Sequence, residues 1–274
     1  MSISSISPVA QYITAEKDES TAAATYAKTD AVTNREVTSF EKDASTITSA
    51  SDLLNNYSAL QTVLGAYGLS SISGETAVIK DLLTQDPTSS TSLAKSSGNA
   101  TWLAFADAFQ TWGENGGSAS ATPFTSDEIS SIVSKFEESQ YEGSDANQDS
   151  GLGNALYFTR TMTSGMSLSD IMSNSTLLKV VETVSGYNPD QFGVLDYSEQ
   201  ESLLSKKVDL SDFSTSAGIQ KYAEQYLAML QINPQTPDKP ASMLDLFGGD
   251  DSDEGILALF GDSGSSSSSA AALF

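Results

Sequence analysis

The sequence contains no cysteine and no histidine. The first absence rules out disulfides, thiolate nucleophiles and Cys-ligated zinc, and the second removes imidazole catalysis and the commonest transition-metal ligand. Positive charge is scarce: thirteen Lys and Arg stand against thirty-six Asp and Glu in 274 residues, a formal net charge of −23. A field of that sign repels phosphate backbones and anionic headgroups, so neither nucleic acid nor bare membrane is an expected partner. Long apolar runs are missing too. None approaches the ~20 residues that cross a bilayer, and the opening MSISSISPVAQYI lacks the basic and long apolar regions of a Sec signal. Direct membrane insertion and Sec-dependent export are not expected.

What is present is helical periodicity. Val37, Phe40, Ala44 and Ile47 fall on one helix face. Ser51 is the expected N-cap of a single helix carrying Leu53, Leu54, Tyr57, Leu60, Val63, Leu64 and Tyr67, with Gly68 as its left-handed stop. Val78, Ile79, Leu82 and Leu83 mark a short helix that Asp86-Pro87 ends, because the residue before proline avoids the helical region. Trp102, Phe105, Phe109 and Trp112 repeat the spacing and read as an aromatic core stripe. Thr125 and Glu128 form a T-x-x-E capping box ahead of Ile129, Ile132, Val133 and Phe136. Further helices are expected over Leu152 to Met162 and Asp170 to Ser185. The clearest stripe is Ile219, Tyr222, Ala223, Tyr226, Leu227 and Leu230.

One stretch recurs: SASDLLNNYSALQTVLGAYG at 49–68 aligns with SLSDIMSNSTLLKVVETVSG at 167–186, with Ser49, Ser51, Asp52, Asn56, Leu60, Val63 and Gly68 identical to their counterparts. Caps, core positions and stop all repeat, which implies two pseudo-equivalent helical units. The expected organisation is all-α and multihelical: a flexible, disordered N-terminal arm over 1–20, a first unit over 21–112, a Gly/Ser linker over 113–124, a second unit over 125–232 and a disordered acidic Ser/Gly-rich tail over 233–274. In that tail the pairs Leu246-Phe247, Leu259-Phe260 and Leu273-Phe274 are the expected partner-binding residues.

Chemical motifs are weak by comparison. Ser92-Leu93-Ala94-Lys95 with Ser97-Gly98-Asn99 matches part of the S-x-x-K and S-x-N pattern, but the two lie almost adjacent and no K-T-G follows. Asp145, Asn147 and Asp149 sit at positions 1, 3 and 5 of a calcium-type loop, whose position 6 is Ser150 rather than Gly and position 12 is Leu156 rather than Glu. An acidic turn before the next helix is the plainer reading. The run Asp250, Asp251, Asp253 and Glu254 reads as solvated tail. No glycine-rich phosphate cradle and no distinguished carboxylate pair emerge, so no catalytic, cofactor or metal residues are expected.

The block Leu53-Leu54, Leu60, Val63 and Ala66-Tyr67-Gly68-Leu69, then Val78-Ile79-Lys80-Asp81-Leu82-Leu83, resembles a domain-of-unknown-function family often encoded in alphaproteobacterial flagellar gene clusters. Phe136-Glu137, Asn154-Ala155-Leu156-Tyr157-Phe158, Ser167 to Met172 and Phe213 to Leu230 are similar to its second half, so the likeness spans roughly 31–231. These are core and capping positions, and they imply a multihelical fold. The chain departs from the family at Trp102, where relatives carry a more basic aromatic stretch. The resemblance implies a flagellar setting. The expected function is a non-enzymatic structural or assembly protein that contacts other proteins, with flagellar hook, rod or export components as candidate partners. Its expected location is the flagellum or the cytoplasm, with export by a Sec-independent route. The alternative is a secreted or calcium-responsive binding module.

Overall fold

In the computed structural model, residues 7–112 and 124–233 are described. They form sixteen α-helices and four short 3-10 turns, with no strand among the described residues. The helices are α1 (Pro8–Glu16), α2 (Glu19–Thr29), α3 (Ala31–Asp43), α4 (Ala50–Asn55), α5 (Tyr57–Ala66), α6 (Thr76–Thr84), α7 (Leu93–Ser96) and α8 (Ala100–Ala108). They continue as α9 (Ser126–Glu142), α10 (Asp145–Ser150), α11 (Leu152–Thr161), α12 (Leu168–Met172), α13 (Ser175–Val184), α14 (Pro189–Phe192), α15 (Tyr197–Leu204) and α16 (Ser216–Ile232).

The repeat is a structural one. Ser49 caps α4 by accepting from the Asp52 amide at 3.1 Å, and Ser167 caps α12 by accepting from the Asp170 amide at 3.2 Å. In both copies an asparagine then interrupts the helix in extended backbone and caps the next: Asn56 accepts from the Ala59 amide, Asn174 from those of Thr176 and Leu177. Each second helix ends in a left-handed glycine, Gly68 at φ +69° and Gly186 at φ +84°, a conformation that costs L-residues about 1–2 kcal/mol. Two corrections follow. The first cap is Ser49, not Ser51, and the expected long helices are each two, because the Asn side chain offers the amides of a new first turn a better acceptor than helix continuation does.

Two main cores form. The first gathers Phe40, Leu53, Val63, Leu64, Ile79, Leu82, Phe105 and Phe109, and the second gathers Leu156, Phe158, Leu177, Val181, Phe213, Tyr222 and Tyr226. A small third cluster joins Met172, Phe192 and Leu204. Packing crosses the boundary expected at 113–124. Phe124, the last residue of that segment, and Ile132, Val133 and Phe136, which follow it in sequence, belong to the first core. Gly65 lets α5 approach α9 closely: a Cβ there would stand 2.7 Å from the Phe136 ring. Residues 113–123 themselves lie outside the described residues, and the described residues fall in one compact unit.

The expected flexible arm needs correcting over residues 8–20. Ser7 accepts from the Ala10 amide and Pro8 occupies the first helical turn, a start signature that launches α1. Tyr12 is 1% exposed in the second core, and its hydroxyl lies 2.6 Å from that of Thr159. Tyr12 is the one fully buried side chain of the helix, with Val9 and Ala15 partly buried against the same core, a stripe too short for periodicity to reveal. No helix among the described residues is long and apolar enough to cross a membrane.

Candidate functional site

Where the two repeats meet, a half-open cleft of about 170 Å³ is lined chiefly by Gly68, Asn99, Trp102, Tyr157, Asn174 and Thr176. The caps of two helices build its rim. Asn99 Oδ1 accepts from the Thr101 and Trp102 amides, both at 3.0 Å, opening α8. Asn174 Oδ1 accepts from Thr176 and Leu177, both at 3.1 Å, opening α13, while its Nδ2 donates to Tyr157 Oη at 2.8 Å. Tyr157 Oη closes the circuit, since a Cβ on Gly68 would come within 3.2 Å of it. The stop of one repeat thus touches the cap of the other through one phenol. Every lining side chain is uncharged. Its amides, hydroxyls and the Trp102 and Tyr157 rings are groups that can hydrogen-bond and stack.

A charged cluster lies beneath α2, α9 and α11. Arg160 Nε donates to Glu142 Oε1 at 2.9 Å and its Nη2 to Oε2 at 2.7 Å, a fork-to-carboxylate pair. Glu138 stands 3.7 Å from Arg160 Nε, and the guanidinium lies 5.4 Å from the Tyr157 ring centroid. Glu142 is 3% exposed. The third acid, Glu19 of α2, has Oε1 buried with no donor facing it, and its carboxyl meets that of Glu142. Burial first, then the negative charge of Glu142, pushes the Glu19 carboxyl up to about 8. Burial raises Glu142 as well, against the opposing pull of Arg160. Arg160 holds Glu142 through both carboxylate oxygens, and burial beside that acid favours the protonated form of Glu19.

The sequence-derived candidates fall elsewhere. Leu246, Phe247, Leu259, Phe260, Leu273 and Phe274, and the acidic run 250–254, lie outside the described residues. Ser92 is the N-cap of α7: its Oγ accepts from the Lys95 amide at 3.2 Å and donates to the Ser89 carbonyl at 2.9 Å. The stretch 145–150 is helix α10 rather than a loop, and the Asn147 amide group donates to the Tyr141 carbonyl at 2.8 Å. Among the described residues no group of three acids is placed to hold a metal ion. Sequence reasoning missed the Glu19, Glu142 and Arg160 cluster. Its one visible signal was Glu138 and Glu142 four apart on one helix in a chain with only two arginines.

A family of proteins of unknown function, DUF1217, matches residues 66–219, more than half of the chain. The chain belongs to the DUF1217 family. The match covers α6 to α15 and part of α16, and so includes the cleft residues from Gly68 to Thr176. Among solved structures, the crystal structure of protein AGR_C_984 from Agrobacterium tumefaciens is similar, with a TM-score of 0.68 at 19% identity, over 82% of this chain and 93% of that one. At that identity the likeness is one of fold. No curated protein matches the chain. This DUF1217 member therefore shares its helical architecture with a solved protein.

Proposed function

We propose that this protein is a non-enzymatic structural or assembly component of a bacterial flagellum that works through contacts with other proteins. The observation carrying the non-catalytic part is the chemistry of the repeat-junction cleft. Its polar groups are uncharged, and Asn99 and Asn174 are spent on capping helices. Elsewhere the strongest charged constellation, Arg160 with Glu142, is committed to joining helices. A chain without His or Cys has few other groups whose ordinary pKa suits proton transfer near neutrality. Contact surface is available: Tyr57 is 75% exposed, and Val194 and Tyr197 lie three residues apart at 84% and 53%.

The flagellar setting rests on the resemblance of residues 31–231 to a family encoded in flagellar gene clusters. Hook, rod or export components are the proposed partners, and the proposed locations are the flagellum and the cytoplasm, with export by a Sec-independent route. The absence of cysteine is compatible with passage through a narrow channel, since no disulfide has to be opened. In-frame deletion of the gene is the test. The proposal expects impaired swimming with incomplete hook or rod structures, restored by the gene in trans; unchanged assembly and swimming contradict it.

A further inference from the structure

The Glu19 carboxyl is buried in surroundings that favour its protonated form. It lies beneath α2 against a carboxylate already claimed by two guanidinium nitrogens of Arg160, and its Oε1 has no other donor. Besides Arg160 and Glu142, the charged group acting on it is Glu138 of α9. The Tyr12 phenol of α1 feels the Glu19 charge in turn, together with those of Glu16 on α1 and Glu224 on α16. Ionised Glu19 would face Glu138 and Glu142 with one guanidinium shared among three carboxylates.

The packing of α2 gives that charge leverage. Its fully buried side chains are the small Ala23 and Ala27, with the half-buried Tyr26 packing its ring 6.1 Å from that of Tyr141 on α9. It lies mainly against α9, while α1 rests on α11 and α16. The bodies they rest on have cores of their own that reach well beyond these contacts.

We propose that the proton on Glu19, held against Glu142, latches α1 and α2 onto the helical body, and that losing it at raised pH frees this segment while the rest stays folded. The direction follows from linkage. A carboxyl that keeps its proton when docked and loses it when free favours docking at low pH, and docking weakens as pH rises until the docked form also ionises. For one proton the limiting slope is tenfold per pH unit in the ratio of docked to free segment.

Hydrogen exchange of the full chain at pH 5, 7 and 9 tests this, with protection in residues 8–29 taken relative to residues 219–227 of α16 after correction for intrinsic rates. The expected result is a fall in relative protection of at least thirtyfold from pH 5 to 9 in the natural chain, and a change under threefold in Glu19→Gln, whose amide can still donate to Glu142. Equal pH dependence in both proteins, or parallel loss of protection in α16, overturns the latch. Should Glu19→Gln not fold, carboxyl carbon-13 titration of the natural chain decides: a Glu19 midpoint well above the ordinary glutamate value supports the proposal, and an ordinary midpoint overturns it.

Discussion

Tyr12 and Thr159, 147 positions apart, place their hydroxyls 2.6 Å from one another, tying the first helix to the middle of the second core. The bond makes α1 part of the folded body and gives the first prediction. Tyr12→Phe should cost about 1 kcal/mol, the net worth of one hydrogen bond. Tyr12→Ala should cost about 3–5 kcal/mol, the usual price of emptying a buried aromatic site. Urea unfolding of both variants checks this, and an Ala variant as stable as the Phe variant would show that α1 does not pack as described.

Arg160 is the cation that offsets Glu138 and Glu142. Its replacement by Met should destabilise the protein by about 3 kcal/mol near pH 8, because it leaves a buried carboxylate uncompensated. The loss should shrink toward pH 4, where that carboxylate can take up a proton. Chemical denaturation of Arg160→Met at both pH values measures it; a cost independent of pH would mean lost packing rather than lost charge.

Gly68 and Gly186 occupy equivalent left-handed positions in unequal surroundings. A Cβ at Gly186 meets nothing within 4 Å, whereas at Gly68 it stands 3.2 Å from Tyr157 Oη. Gly186→Ala should therefore cost only the backbone strain, about 1–2 kcal/mol. Gly68→Ala should cost more and disturb the Tyr157 to Asn174 hydrogen bond. Thermal melts of the two variants compare them directly, and equal losses would contradict the closed circuit around the cleft.

Glu182 of α13 is 3% exposed, and burial, opposed by Lys179, raises its carboxyl to about 7. The sign is that of a raised acid: its favourable contribution is complete below the ordinary glutamate value and is lost as pH rises through about 7. Glu182→Gln should remove that loss, leaving the variant about 2 kcal/mol better placed at pH 8 than at pH 4 relative to the natural chain. Denaturation curves at the two pH values test this; identical pH dependence would show that Glu182 ionises normally.

The parts of the fold that were legible are those written in local chemistry. The Thr125 and Glu128 capping box forms, with the Thr125 amide donating to Glu128 at 2.8 Å, and the stripe from Ile219 to Leu227 is buried along α16. The break at Asn56 was hidden because Leu53, Leu60 and Val63 keep a helical spacing across it, although the repeated asparagine at 174 carried the signal. Crossing of α9 into the first core was hidden for another reason. An apolar stripe says that a helix buries a face, not which neighbour receives it. The cleft and the Glu19 cluster escaped because both assemble from residues far apart in sequence, Gly68 with Asn174 and Glu19 with Glu142, and no short motif records them.

The measurement that bears most directly on the central claim is purification of the C-terminally tagged protein from motile cells, with identification of what accompanies it in cytosolic, basal-body and secreted fractions. The account predicts recovery with hook, rod or export components, weakened by the paired substitution Phe247→Ala and Phe260→Ala while the helical circular dichroism stays unchanged. Recovery only from culture fluid, without any flagellar component, would contradict it.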